Sequence, residues 1–96
     1  MNSNNVILLG LDGLGWTEIE SWVKDGKLSN LQEICKEGTT ADLISTHPPW
    51  TPCAWPSFLT GRNPGIHGVF DFFTNNTNYE KKLVKRSDVD SPYLFE

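Results

Sequence analysis

Apolar and polar positions along the chain fall into short blocks with distinct periods. A polar leader, Met1 to Asn5, gives way to a continuous apolar run, Val6-Ile-Leu-Leu-Gly-Leu11. That run is short, lacks alternation and ends in the glycine-rich turn Gly10-Leu-Asp-Gly-Leu-Gly15, as expected of a strand buried on both faces. From Trp16 to Asp25 the pattern changes to a helical one, with Ile19, Trp22 and Val23 at i, i+3 and i+4 and Gly26 as the stop. Ser29 predicts an N-cap for a second helix over Asn30 to Glu37, with Gln32 as its capping-box partner and Gly38 at the end. Thr39 to Ser45, around Leu43 and Ile44, reads as a second strand.

The next block, His47-Pro-Pro-Trp-Thr-Pro-Cys-Ala-Trp-Pro56, carries four prolines in ten residues. Each proline fixes φ and biases the preceding residue toward extended geometry, so a rigid loop is expected. Pro56 suits the first turn of a short helix to about Thr60, closed by Gly61, with Asn63-Pro-Gly65 as a turn. Val69 to Phe73 predicts a short strand, Thr74 to Asn78 a polar loop, and Tyr79 to Arg86 a surface helix. This order implies an α/β arrangement with parallel strands joined by right-handed crossovers. Two or three strands are too few for a parallel sheet covered on both faces. The expectation is therefore an incomplete sheet whose edges need either a C-terminal continuation of the chain or self-association.

Composition narrows the function classes. Eight basic against twelve acidic residues leave a formal charge of −4, which argues against a nucleic-acid partner. Leu, Ile, Val and Phe make up about a quarter of the chain, enough for a modest core. There is no apolar run of about 18 residues and no positively charged segment ahead of Val6, so neither a membrane span nor a signal peptide is expected, and the localisation expected is cytoplasmic. Cys35 and Cys53 stand 18 apart, which fits two thiols in a reducing compartment. Asn75-Asn76-Thr77 is formally a glycosylation sequon but has no secretory signal to support it.

Candidate chemistry starts at Asp12, just past the carboxyl end of the first expected strand, where open α/β sheets bind ligands. It reads as a helix-N-terminal acid or as a metal ligand. The spacing G-x-x-G-x-G differs from the dinucleotide fingerprint, and a carboxylate in the turn would repel a pyrophosphate. Haloacid-dehalogenase-like phosphatases also begin with an apolar strand and Asp-Gly, but their nucleophilic Asp falls where this chain has Gly10. Thr51 is the second candidate. Taken alone it reads as a turn residue or as a hydroxyl nucleophile that needs a base or metal to activate it.

The string Val6-Ile-Leu-Leu-Gly-Leu-Asp-Gly13, followed by Leu43-Ile-Ser-Thr-His-Pro-Pro-Trp-Thr-Pro-Cys-Ala-Trp-Pro-Ser-Phe-Leu-Thr-Gly-Arg-Asn-Pro-Gly-Ile-His-Gly68, resembles the alkaline phosphatase superfamily, in its type I phosphodiesterase/nucleotide pyrophosphatase-like branch. The resemblance runs from Val6 to about Phe73. It implies an α/β, alkaline-phosphatase-like sandwich of parallel strands with flanking helices, of which residues 1–96 are the N-terminal part. Residues 1–5 would be a leader, 6–73 the motif-bearing segment and 74–96 a loop and surface helix. It also implies a hydrolase of phosphate esters that uses two divalent metal ions, usually zinc, with Asp12 as a metal ligand. Thr51, nine residues before the Thr60 of Thr-Gly, would be both nucleophile and metal ligand.

The departures also matter. Ala54 stands where the nucleotide pyrophosphatases have a phosphate-holding Asn, and Pro52 has no N–H to offer. Cys53-Ala-Trp-Pro-Ser57 is one residue too long for the sulfatase Cys-x-Pro-Ser-Arg, so Cys53 is not expected to be the nucleophile. His67 is expected to be a structural hydrogen-bonding residue, and nothing in the sequence requires His47 at a site. Trp50 and Trp55 are expected to pack the loop, and Arg62 to be a solvated or turn-bracing charge. Two metals need roughly six to eight protein ligands, and Asp12 and Thr51 are the only positions matching the family's metal site. The expectation is a small-molecule phosphate-ester hydrolase whose N-terminal segment alone is inactive. The alternative is a truncated, non-catalytic product serving as an interaction module.

Overall fold

The computed structural model describes residues 5–96, so the leader expected at 1–5 lies outside the described residues except for Asn5. The chain divides into two compact units, one ending at Asp42 and the other running from Leu43 to Glu96.

In the first unit, residues 6–11 form no strand. They are irregular and open to solvent, with Val6 89% and Ile7 93% exposed. The expected buried strand is thus not formed. A parallel strand takes its backbone hydrogen bonds entirely from neighbouring strands, and the described residues supply none beside it. After the turn at Asp12-Gly13, helix α1 (Trp16–Lys24) buries Ile19 and Val23. Trp22 stays half exposed, so the buried stripe is narrower than the sequence pattern implies. Gly26 takes φ +73, a left-handed geometry that glycine adopts without Cβ strain.

Helix α2 (Ser29–Glu37) starts one residue earlier than expected, with Leu28 rather than Ser29 at the N-cap and no side-chain cap. Gln32 does not close a capping box. Its Nε2 donates to the Val23 carbonyl at 2.7 Å, tying α2 to the end of α1. Residues 39–42 continue without regular structure, and so do 43–45 at the start of the second unit, where Leu43 is 84% and Ile44 90% exposed. The expected second strand is absent for the same reason as the first.

The second unit is better bonded. Helix α3 (Thr51–Thr60) begins five residues before Pro56, so the proline-rich loop ends at Trp50 and Pro56 lies inside the helix. Pro52 falls in the first turn, where its missing N–H leaves nothing unpaired. Gly61 (φ +65) ends the helix. A single-turn helix α4 (Pro64–His67), entered through Asn63, replaces the expected Asn63-Pro-Gly65 turn.

A hairpin follows, formed by β1 (Phe73–Asn75) and β2 (Lys81–Leu83), antiparallel, with Phe73 opposite Leu83 and Asn75 opposite Lys81. The strand expected at 69–73 thus starts four residues later. Part of the expected polar loop is strand, and the expected helix over 79–86 is a strand followed by a 3-10 turn at Arg86–Asp88. The Asn76 side-chain oxygen decides this. It accepts the N–H groups of Asn78 and Glu80, both at 2.9 Å, and so closes the hairpin loop locally.

Beyond the 3-10 turn, the chain folds back on the helices of this unit. Leu94 N–H donates to the Leu59 carbonyl at 2.7 Å, and Asp90 N–H to the His67 carbonyl at 3.0 Å. The Arg86 guanidinium fastens the terminus by donating to Glu96 and to the Val89 and Ser91 carbonyls. It also lies over the Tyr93 ring, 3.9 Å from its centroid. Cys53, Pro56, Pro64, His67, Val69 and Val89 are the buried residues of this unit.

Candidate active site

Thr51 is the first residue of α3 and is exposed. Trp50 is held extended before it (ψ 160) and turns its carbonyl to the helix, accepting the N–H groups of Cys53 at 3.0 Å and Ala54 at 2.9 Å. Those two amides are used, and Pro52 has none, so little of the usual backbone anion site remains at this helix start.

Trp50 is half exposed, and its Nε1–H donates to the Phe70 carbonyl at 3.0 Å. It anchors the loop by its polar edge and leaves its ring half open to solvent. Trp55, expected to pack the loop, lies inside α3 instead and meets Phe58 of the same helix edge to face, with centroids 6.0 Å apart. Cys53 is fully buried one turn into the helix, which removes it from substrate.

His67 is also fully buried. Its Nδ1 accepts the Val69 N–H at 3.2 Å, and its Nε2 lies 2.8 Å from the Ser57 hydroxyl. With Nδ1 occupied as an acceptor, the neutral ring carries its proton on Nε2 and donates it to Ser57. Ser57 in turn donates to the Cys53 carbonyl at 2.9 Å. Burial pulls the His67 pKa below its ordinary value, which favours this neutral form. The structural role expected for His67 is the one it has, but its partner Ser57 was not singled out from the sequence. No sequence signal marked it, because Pro56 reads as a helix start and the partner lies ten residues on.

Asp12 is exposed in the turn before α1 and belongs to the first unit, whereas Thr51 belongs to the second. His47 and Arg62 are exposed, and the Arg62 backbone N–H bonds the Thr60 hydroxyl at 3.1 Å. Asp12 and Thr51 are hard oxygen donors of a kind a divalent cation accepts. Among the described residues, no group of three or more His, Cys, Asp or Glu side chains is placed to hold a metal ion. No described helix is long and apolar enough to cross a membrane.

Neither the curated proteins nor the solved structures returned a match. The model of the type I phosphodiesterase/nucleotide pyrophosphatase family matches residues 6–95, spanning both the Asp12 turn and the α3 motif. The chain accordingly belongs to the type I phosphodiesterase/nucleotide pyrophosphatase family.

Proposed function

We propose that this chain is the nucleophile-bearing part of a phosphate-ester hydrolase, with Thr51 as the attacking residue. Family membership supplies the reaction class. The observation that carries the residue assignment is the exposed Thr51 at the start of α3, behind a cap that Trp50 fixes. The Thr51 hydroxyl gives its proton to water as its oxygen bonds to phosphorus and the ester P–O bond breaks, and the departing alkoxide takes a proton back from water, leaving as the alcohol. A second water then attacks phosphorus and the threonyl oxygen leaves with a proton from that water, restoring the hydroxyl and releasing phosphate.

In this reading Asp12 gives one carboxylate to a divalent cation, zinc being the expectation, together with ligands outside these 96 residues. Such an ion, when bound, lowers the pKa of a hydroxyl and offsets negative charge at phosphorus. The exposed segments 6–11 and 39–45 would form parallel strands of an alkaline-phosphatase-like α/β sandwich once neighbouring strands cover them. The 96 residues alone would then be inactive. Two free thiols are in keeping with a reducing, cytoplasmic setting.

The test is hydrolysis of an aryl phosphodiester in the presence of zinc or manganese, using the chain with any in-frame downstream sequence. Thr51→Ala should lower turnover at least about a thousandfold. Unchanged turnover removes Thr51 as nucleophile. The exposed apolar segments also support a second reading, a non-catalytic module that binds a partner through them. A stop codon directly after Glu96 favours that reading, and an in-frame continuation rich in Asp and His favours the enzyme.

A further inference from the structure

Pro56 has no N–H, so the Pro52 carbonyl lacks the donor that would continue the helical ladder. The gap falls one turn after Thr51. The first turn of α3, which displays Thr51, is therefore joined to the rest of the helix by one backbone rung fewer than an unbroken helix provides. The Ser57 hydroxyl does not fill that missing rung; it adds a side-chain bond to the Cys53 carbonyl at 2.9 Å, on the neighbouring rung, and so gives the turn before Pro56 a second link to the turn after it. Alone, that hydroxyl could rotate among staggered positions. It is held by the His67 ring at 2.8 Å, and that ring is fully buried and fixed in turn by the Val69 N–H.

We infer that His67 is a positioning residue for Thr51: through Ser57 it locks the first turn of α3 across the break at Pro56. The relevance to catalysis rests on Thr51 being the nucleophile, but the lock itself does not. Two substitutions separate its halves. Asn at 67 can place an oxygen near the Nδ1 position and accept the Val69 N–H, but it falls short of Ser57. Gln at 67 can place an amide near the Nε2 position and donate to Ser57.

The experiment is amide hydrogen exchange by NMR on the 96-residue chain, with Cys53 and Ala54 reporting the first turn and Leu59 and Thr60 the last. Ser57→Ala and His67→Asn should speed exchange at Cys53 and Ala54 about fivefold to tenfold, the equivalent of one lost hydrogen bond. Leu59 and Thr60 should change less than about twofold, and His67→Gln should restore the wild-type rates. In the unaltered chain, ring nitrogen shifts should show the His67 proton on Nε2.

Exchange that rises equally along α3, no change at Cys53 and Ala54, a His67→Gln variant that behaves like His67→Asn, or a proton on Nδ1 each overturn the inference. If a His67 variant does not fold, Ser57→Ala and the tautomer of the unaltered chain still decide it. None of these readouts depends on turnover. A failure of Thr51→Ala to abolish activity would therefore overturn the proposed function while leaving the lock standing.

Discussion

The two units carry comparable apolar sequence and both leave much of it exposed, but they differ in how far each satisfies its own hydrogen bonds. In the first, the most apolar run of the chain, Val6 to Leu11, lies exposed, and among the described residues the unit buries Ile19 and Val23 on α1. In the second, a proline-rich segment with two polar turns builds a saturated interior around Cys53 and His67, in which no buried side-chain polar atom lacks a partner. The difference follows from where each segment finds its hydrogen bonds. Helices, a hairpin and a back-folded terminus close within a few tens of residues. A parallel strand depends on neighbours far away in sequence.

The comparison is broken most strongly at His67. His67→Ala removes a buried ring, leaves Ser57 without its donor and opens a cavity. It should cost about 2–4 kcal/mol in urea unfolding followed by tryptophan fluorescence. Gly61→Ala should cost about 1 kcal/mol in the same assay. A Cβ at Gly61 meets no atom within 4 Å, so the cost comes from its φ of +65 alone.

Acid should act on the second unit in two stages. The folded-state pKa of His67 is lowered by burial, so its share of stability is complete above the ordinary histidine value near 6.5 and declines as pH falls below it. The carboxyls of Glu96, held down by bonds from Arg86 and Tyr93, and of Asp88, held down by the Lys85 backbone and Lys82, are lost only below the ordinary carboxylate range. His67→Gln should abolish the first stage and keep the second, read as the unfolding midpoint against pH. A midpoint that stays level between pH 7 and 5 in the unaltered chain would refute the assignment.

The smallest effect belongs to the first unit. Ile7→Asp should change stability by less than about 0.5 kcal/mol, because the side chain is already in water. The same change should lower self-association seen by light scattering, since exposed apolar runs drive it. A large loss of stability instead would show that residues 6–11 are packed.

Legibility in the sequence followed the same division. The spacing of Ile19 and Val23, and the stops at Gly26 and Gly61, placed α1 and the end of α3 nearly as found. Pro56 reads in the sequence as a helix beginning, whereas the Trp50 carbonyl starts the helix at Thr51 and Ser57 adds a side-chain bond to the Cys53 carbonyl beside the interior proline. The helix expected over 79–86 failed because the Asn76 side chain captured two amides and closed a hairpin. Asp12 and Thr51 were legible as a motif. The Ser57–His67 pair was not, because it joins positions ten residues apart through a side chain.

By itself the sequence determined the family, helices α1 and α2 and the end of α3, and it singled out Asp12 and Thr51 as candidates. These rest on local spacing and residue type, which the chain carries without folding. Tertiary structure alone decided that Asp90 and Leu94 return to α4 and α3, that Ser57 meets His67 and which tautomer His67 adopts. Each of those depends on a hydrogen-bond partner that only folding brings within reach.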